Sequence, residues 1–263
     1  MGFGMEFPQH VIFAFLLTLL AGLSTGIGSA IAYFIKKPKM VYLSFSLGFS
    51  AGVMIYVSFV ELLPQAAGSV GNITSVTAFF VGILFIALID MAIPEERNPH
   101  HYKDMADVKD VKGNKMLLRT GLFTAFAIAI HNFPEGLTTF GTALVDVRLG
   151  IVIALAIAIH NIPEGISVSV PIFYATGDRK KAFRYSFLAG LAEPVGAVIG
   201  FVILLPFLSA GLLASLLAFV AGIMVYISID ELLPMAHRYG HSHTVILGFI
   251  LGMFLMAVSL VIL

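Results

Sequence analysis

Long apolar runs recur along almost the whole chain, and they constrain its fold more than any other feature. They cover roughly 9–35, 41–66, 74–93, 117–143, 150–174, 183–206, 211–236 and 244–263. A membrane-spanning helix needs about 20 mostly apolar residues. Eight such runs therefore use up most of the 263 residues. Charged residues make up 11% of the chain and hydrophobic ones 59%, whereas a soluble domain carries about 25% charged residues to cover its core. A lipid-facing surface needs no charged shell. The expected fold is therefore an all-α integral membrane protein with eight transmembrane helices, forming one transporter-like domain over residues 1–263. The N-terminus lacks the basic start and small-residue cleavage site of a secretory signal, so the first run is expected to be kept as a span.

Only the connection at about 94–116, PEERNPHHYKDMADVKDVKGNKM, is long and charged. It reads as a flexible loop. Fourteen of the 15 lysines and arginines fall on connections that alternate to one side of the membrane, and Arg148 alone falls on the other. Basic residues mark the cytoplasmic face, so that loop is expected in the cytoplasm and both termini outside. Zero formal net charge gives no reason to expect nucleic acid as a partner; the lipid bilayer is the expected environment.

Two segments occur twice. Ala51–Ala66 reads AGVMIYVSFVELLPQA and Ala221–Ala236 reads AGIMVYISIDELLPMA, 170 residues apart. AIAIHNFPEG at 127–136 returns as AIAIHNIPEG at 156–165. Both pairs lie an odd number of spans apart and cross the membrane in opposite directions. Inverted repeats around an interrupted helix pair are a transporter signature. Duplication of a generic apolar helix does not account for matches at His, Asn, Pro and Glu.

The second pair carries the chemistry. His131 and Glu135 are four residues apart, as are His160 and Glu164, so each pair shares a helix face. Asn132 and Asn161 sit beside those faces. Two such helices packed together offer a cation two nitrogens and several oxygens. Pro134 and Pro163 cannot donate to the carbonyls of Ile130 and Ile159, so each helix is expected to kink or open beside its histidine. Glu193, in AGLAEPVGA, adds a third carboxylate near mid-membrane. Three unpaired charges at that depth would cost roughly 8–10 kcal/mol on the insertion scale. A divalent cation, or protons, offsets that cost. Helix-to-helix hydrogen bonding would explain one isolated histidine, but not two copies of His-Asn-x-Pro-Glu-Gly with a third glutamate at matching depth. There is no cysteine, so thiolate and Fe–S sites are excluded. Imidazole with carboxylate suits Zn²⁺, Fe²⁺, Mn²⁺ and Co²⁺ rather than Mg²⁺ or Ca²⁺.

HNFPEG, HNIPEG, GLAEP and the MxYxSxxELLP pattern at 54–64 together resemble the ZIP family of zinc/iron permeases, closest to one of its bacterial branches. The resemblance covers essentially the whole chain. It implies a 3+2+3 bundle in which spans 1–3 and 6–8 form an inverted-topology repeat. It implies a two-metal site in which His131, Glu135, His160 and Glu164 hold one ion. Asn132, Asn161 and Glu193 hold the other, with Glu135 and Glu164 bridging. It also implies movement of metal toward the cytoplasm, a cell-membrane location and a homodimer. Position 160 varies among relatives, so its histidine bears on metal preference.

Further polar residues mark a candidate route. Glu61 ends the second span near the outer face, and Asp230 and Glu231 end the seventh near the inner face. Ser58 and Ser228 are candidate pathway residues; small residues at helix contacts are the plainer reading. His100 and His101 in the loop, and His237, His241 and His243 after the seventh span, are candidate cytoplasmic metal contacts. The expected function is transport of divalent transition metals, Zn²⁺ foremost with Fe²⁺, Mn²⁺, Co²⁺ and Cd²⁺, by alternating access. The metal is cargo, not a catalytic cofactor. No GxxxxGK[ST] phosphate loop is present, so ATP is not expected to drive it. An intramembrane metal-dependent hydrolase using the same residues is the alternative. It lacks an HExxH motif and any second catalytic base.

Overall fold

The computed structural model describes residues 7–34, 40–92, 115–204, 209–239 and 242–262, and among them every regular element is helical. The loop at 94–116, with His100 and His101, lies almost wholly outside the described residues, and so does His241.

The helices are α1 (Phe7–Phe34), α2 (Met40–Val57), α3 (Leu63–Val70), α4 (Asn72–Ala92), α5 (Lys115–Val145), α6 (Val147–Thr176), α7 (Arg179–Gly190), α8 (Ala192–Leu204), α9 (Ala210–Ile227), α10 (Leu233–Tyr239) and α11 (Ser242–Ile262). Their ends follow local chemistry. Asp146 alone separates α5 from α6, and its side chain accepts the Leu149 N–H at 3.1 Å as an N-cap. Asp178 and Ser209 cap α7 and α9 in the same way. Gly71 and Gly177 end α3 and α6 with positive φ, 81° and 70°, a conformation that glycine adopts without steric cost.

The apolar exterior is where a bilayer requires it. Leu16 and Leu20 on α1, Phe80, Leu84 and Leu88 on α4, and Ile250 and Phe254 on α11 are exposed. His131, Asn132, Glu135, His160, Asn161, Glu164 and Glu193 are buried. Water would reverse that arrangement.

By length and composition seven stretches can cross a membrane: Gln9–Ala30, Ser44–Val70, Asn72–Met91, Val147–Thr176, Arg179–Ile203, Gly211–Arg238 and Ser242–Val261. The fourth expected span, within α5, is not among them, although α5 has 31 residues. His131, Asn132, Pro134, Glu135 and the threonines after them lower its apolarity. α5 packs against α6 and α8, so those polar groups are buried in protein.

Sequence leads to a kink or an opening at Pro134 and Pro163, and neither helix opens there. α5 and α6 run unbroken through Pro134 and Pro163. Instead, α7 and α8 are separated at Leu191, just before Glu193 and Pro194. A single π-helical turn at Ser58–Leu62 joins α2 to α3, and another at Ser228–Leu232 joins α9 to α10. In these turns the N–H of Leu63 donates to Ser58 O and that of Leu233 to Ser228 O, five residues back. Pro64 and Pro234 follow. A proline ring collides with the carbonyl four residues earlier, and widening the turn by one residue relieves the collision.

The repeat seen in sequence is also a repeat of contacts. α2 packs on α11 and α4 on α9. Gly52 meets the carbonyl of Phe249, and Gly252 that of Phe49. The same contact is made by Gly222 on Phe79 and by Gly82 on Phe219. Every one of these partners is related to its counterpart by the 170-residue offset of the sequence repeat.

Candidate metal centre

α5 and α6 meet side by side, and the two His-Asn-x-Pro-Glu-Gly segments face each other across the junction. The pairing is crossed. His131 Nε2 donates to Glu164 Oε1 at 3.1 Å, and His160 Nε2 lies 3.4 Å from Glu135 Oε2. Each imidazole thus reaches the carboxylate of the other helix. The first is a hydrogen bond; the second is at ion-pair distance without hydrogen-bond geometry.

His160 Nδ1–H donates to the carbonyl of Ala156 at 3.1 Å. That bond fixes the tautomer and leaves Nε2 with a free lone pair, as metal-binding imidazoles require. The asparagines are oriented in a common way. Asn132 Nδ2 donates to Ala189 O at 3.3 Å and Asn161 Nδ2 to Ala21 O at 3.1 Å. Each amide nitrogen is held by backbone, so each amide oxygen is left over. Asn161 Nδ2 also donates to Glu193 Oε1, which brings α8 into the centre.

The unsatisfied atoms define what the site lacks. Asn132 Oδ1, Asn161 Oδ1, Glu164 Oε2, Glu193 Oε2, both Glu135 carboxylate oxygens and His160 Nε2 are buried with no hydrogen-bond partner. Buried polar groups in proteins are paired as a rule. Here the unpaired atoms are almost all acceptors, the set that a cation satisfies and a proton donor from protein does not. Among the described residues no three His, Asp or Glu side chains converge at metal-holding distance. His131 Nε2 is engaged with Glu164, so an ion that takes that nitrogen must displace the bond, whereas His160 Nε2 and Glu135 carry none.

Other sequence-derived residues lie away from this junction. Ser58 is buried and its hydroxyl is unpartnered, whereas the Ser228 hydroxyl donates to Met224 O at 2.7 Å. Glu61, Asp230 and Glu231 are half-buried in the two π-helical turns. Glu231 lies within electrostatic reach of His131 and Glu164. His237 is exposed and bonds Leu233 O of its own helix at 2.8 Å, and His243 is exposed on α11.

The motif pattern alone left several neighbours unmarked. Tyr226 donates its hydroxyl to Asp90 Oδ2 at 3.3 Å, beside Asp230. Asp90 is an acidic residue inside the last turn of an otherwise apolar run, which is its sequence signal. The buried hydroxyls of Thr138 and Thr139, one turn beyond Glu135, are unpartnered. A third internal repeat is also present: LAGLSTGIG at 20–28 and LAGLAEPVG at 188–196. It places Ala21, the carbonyl partner of Asn161, opposite Ala189, the carbonyl partner of Asn132.

An all-helical, multi-pass membrane protein with an inward-facing His/Asn/Glu centre belongs to the class of membrane metal carriers. Known proteins define the class further. The ZIP zinc transporter family model matches residues 93–260. The chain is 55% identical to the zinc transporter ZupT of Clostridium perfringens, covering 98% of both chains. It is 56% identical to that of Streptococcus mutans, over 96% of this chain and 98% of the relative. It is 58% identical to that of Chlorobium phaeovibrioides, over 95% and 97%. The chain belongs to the ZIP family, in its ZupT-like branch. These relatives are named as transporters and not as enzymes, and the hydrolase alternative finds no support among them.

Proposed function

We propose that this protein carries divalent transition-metal ions, Zn²⁺ foremost, into the cytoplasm across the cell (inner) membrane, with Fe²⁺, Mn²⁺, Co²⁺ and Cd²⁺ as further cargo. The observation that carries this reading is the set of buried, unpartnered acceptors on Asn132, Glu135, Asn161, Glu164 and Glu193 around two imidazoles. His131, Glu135, His160 and Glu164 hold one ion. Asn132, Asn161 and Glu193 hold a second, and Glu135 and Glu164 bridge the two. The ion exchanges water for these donors, and the crossed His–Glu pairs re-form when it leaves. In the empty centre the His131–Glu164 hydrogen bond offsets part of the cost of buried charge.

α5 crosses the membrane as an eighth span, its polar face turned to the other helices. The bundle is arranged 3+2+3 with both termini outside. Spans 1–3 and 6–8 rock against α5 and α6 to expose the centre to each side in turn. Ser58 and Glu61 lie on the outer approach, and Ser228, Asp230 and Glu231 on the inner exit. His237, His241 and His243, with His100 and His101, receive metal in the cytoplasm, and the protein acts as a homodimer.

Flux of Zn²⁺, Fe²⁺, Mn²⁺ and Cd²⁺ into proteoliposomes tests the reading. Saturable flux that is lost in the Glu135→Ala, Glu164→Ala double variant supports it. Flux that survives in that variant would remove the centre from the mechanism.

A further inference from the structure

The third repeat brings one more side chain to the centre. Under the 168-residue offset of LAGLSTGIG and LAGLAEPVG, Thr25 on α1 is the counterpart of Glu193 on α8. The structure repeats the correspondence contact by contact. Gly165 of α6 packs on the carbonyl of Thr25, and Gly136 of α5 packs on the carbonyl of Glu193. Gly28 packs on Ile162 O, and Gly196 on Phe133 O. Gly22 and Gly190 meet each other: a β-carbon on Gly22 would lie 2.7 Å from Gly190 O, and one on Gly190 would lie 2.6 Å from Gly22 O. A residue and its own counterpart can touch in this reciprocal way only where a local two-fold axis passes between them.

Around that axis the side chains follow suit. The β-carbon of Glu193 lies against Gly22, at 3.3 Å from the position of a β-carbon there. The β-carbon of Thr25 lies against Gly190, at 2.7 Å, with its hydroxyl at 2.9 Å. Glu193 then reaches Asn161, whose amide nitrogen is anchored on Ala21 O. The matching asparagine on the Thr25 side is Asn132, anchored on Ala189 O, next to Gly190. Asn132 Oδ1 is buried and unpartnered, and so is Thr25 Oγ1. Thr25 is 0% exposed. A threonine inside a helix ordinarily satisfies its hydroxyl on the carbonyl four residues back, as Thr18 does on Ala14 O at 3.0 Å. Thr25 does not.

We propose that Thr25 is a further metal-site residue. Its hydroxyl oxygen faces the divalent cation from α1, at the place where Glu193 faces it from α8. The inference rests on the reading of the centre given above and extends it to a residue from the first helix. A hydroxyl in place of a carboxylate keeps the centre at three glutamates. Two divalent ions then carry one more charge than their ligands supply.

Zn²⁺ titration calorimetry on the purified full-length protein in lipid nanodiscs tests this, with thermal unfolding measured with and without Zn²⁺. Thr25→Val keeps the shape and removes the oxygen. It is expected to weaken Zn²⁺ binding about tenfold and to shrink the Zn²⁺-induced rise in melting temperature, with the metal-free melting temperature unchanged. Thr25→Ser, which keeps the hydroxyl, is expected to bind like the parent. Thr25→Glu restores the two-fold match and is expected to bind Zn²⁺ more tightly and release it more slowly; because it changes binding in the opposite direction, it decides the matter even where the valine variant does not fold. Glu193→Gln serves as reference. Binding lost in Glu193→Gln but unaltered in Thr25→Val or Thr25→Glu would overturn this inference alone. No Zn²⁺ binding by the parent would overturn the reading of the whole centre, and this inference with it.

Discussion

The two halves of the molecule share a backbone plan and differ in where their polar side chains sit. In the first half, α1 and the α2–α3 helix present Thr25, Val60 and Glu61 at the positions where α8 and the α9–α10 helix present Glu193, Asp230 and Glu231. The glycine contacts, the anchored asparagines and the π-helical turns are duplicated. The acidic residues are only partly so: Glu61 matches Glu231, but Thr25 and Val60 stand where Glu193 and Asp230 do. Asp90, from α4 of the first half, accepts the Tyr226 hydroxyl beside Asp230. Two-fold related packing of inverted repeats is the arrangement that alternating access uses. Asymmetric charge then makes one side better than the other at drawing off a cation.

The largest expected effect concerns the paired histidines. His131→Ala and His160→Ala are each expected to reduce Zn²⁺ flux at least about 10–100-fold. Vesicle uptake assays read this directly, and a large disparity would break the equivalence of the two helices. Acid acts on both alike, because an imidazole must be unprotonated to bind metal. Uptake is expected to fall as the pH is lowered from about 7.5 to about 5.5, read in the same vesicle assay.

The packing symmetry has its own test. Gly136→Ala and Gly165→Ala each push a methyl group into the backbone carbonyl of a neighbouring helix. Overpacking costs about 1–3 kcal/mol, and here no flexible side chain is available to yield. Both variants should show lowered thermal unfolding in detergent by similar amounts. The charge asymmetry predicts a smaller, one-sided effect. Glu231→Gln should lower flux about tenfold, and Glu61→Gln should lower it less; an equal loss in both would remove the asymmetry from the mechanism. Least of all, His237→Ala, whose ring is exposed and bonds its own helix, should change stability by less than about 0.5 kcal/mol and leave initial uptake rates alone.

Much of the centre was legible before any coordinates. His-Asn-x-Pro-Glu-Gly twice over announces itself because repeated coincidences of His, Asn and Glu do not arise in lipid-facing helices, where each polar group carries a cost. Thr25 was not legible, because a threonine in an apolar run carries no such cost; it bonds its own helix by default. The absence of that bond and the two-fold match to Glu193 together distinguish it. The prolines misled in part. Pro134 and Pro163 pointed to a kink or an opening beside the histidines, and α5 and α6 do not open. The backbone opens at Leu191 and at the π-helical turns before Pro64 and Pro234. A proline removes one donor and creates one collision, but whether the helix bends, widens or breaks in response depends on what packs around it.

Hydropathy, the uneven placement of lysine and arginine, and the repeated motifs belong to the sequence by itself. Partition between lipid and water acts on each segment independently of its neighbours, so the helical membrane class and the identity of the seven central polar residues follow from local composition. Which imidazole meets which carboxylate belongs to the tertiary structure. The crossing of His131 to Glu164 and of His160 to Glu135, the anchoring of each asparagine on a carbonyl about 57 or 140 residues away in sequence, and the place of Thr25 opposite Glu193 all depend on close helix approach through glycine. That approach is a relation between surfaces, and no single segment encodes it.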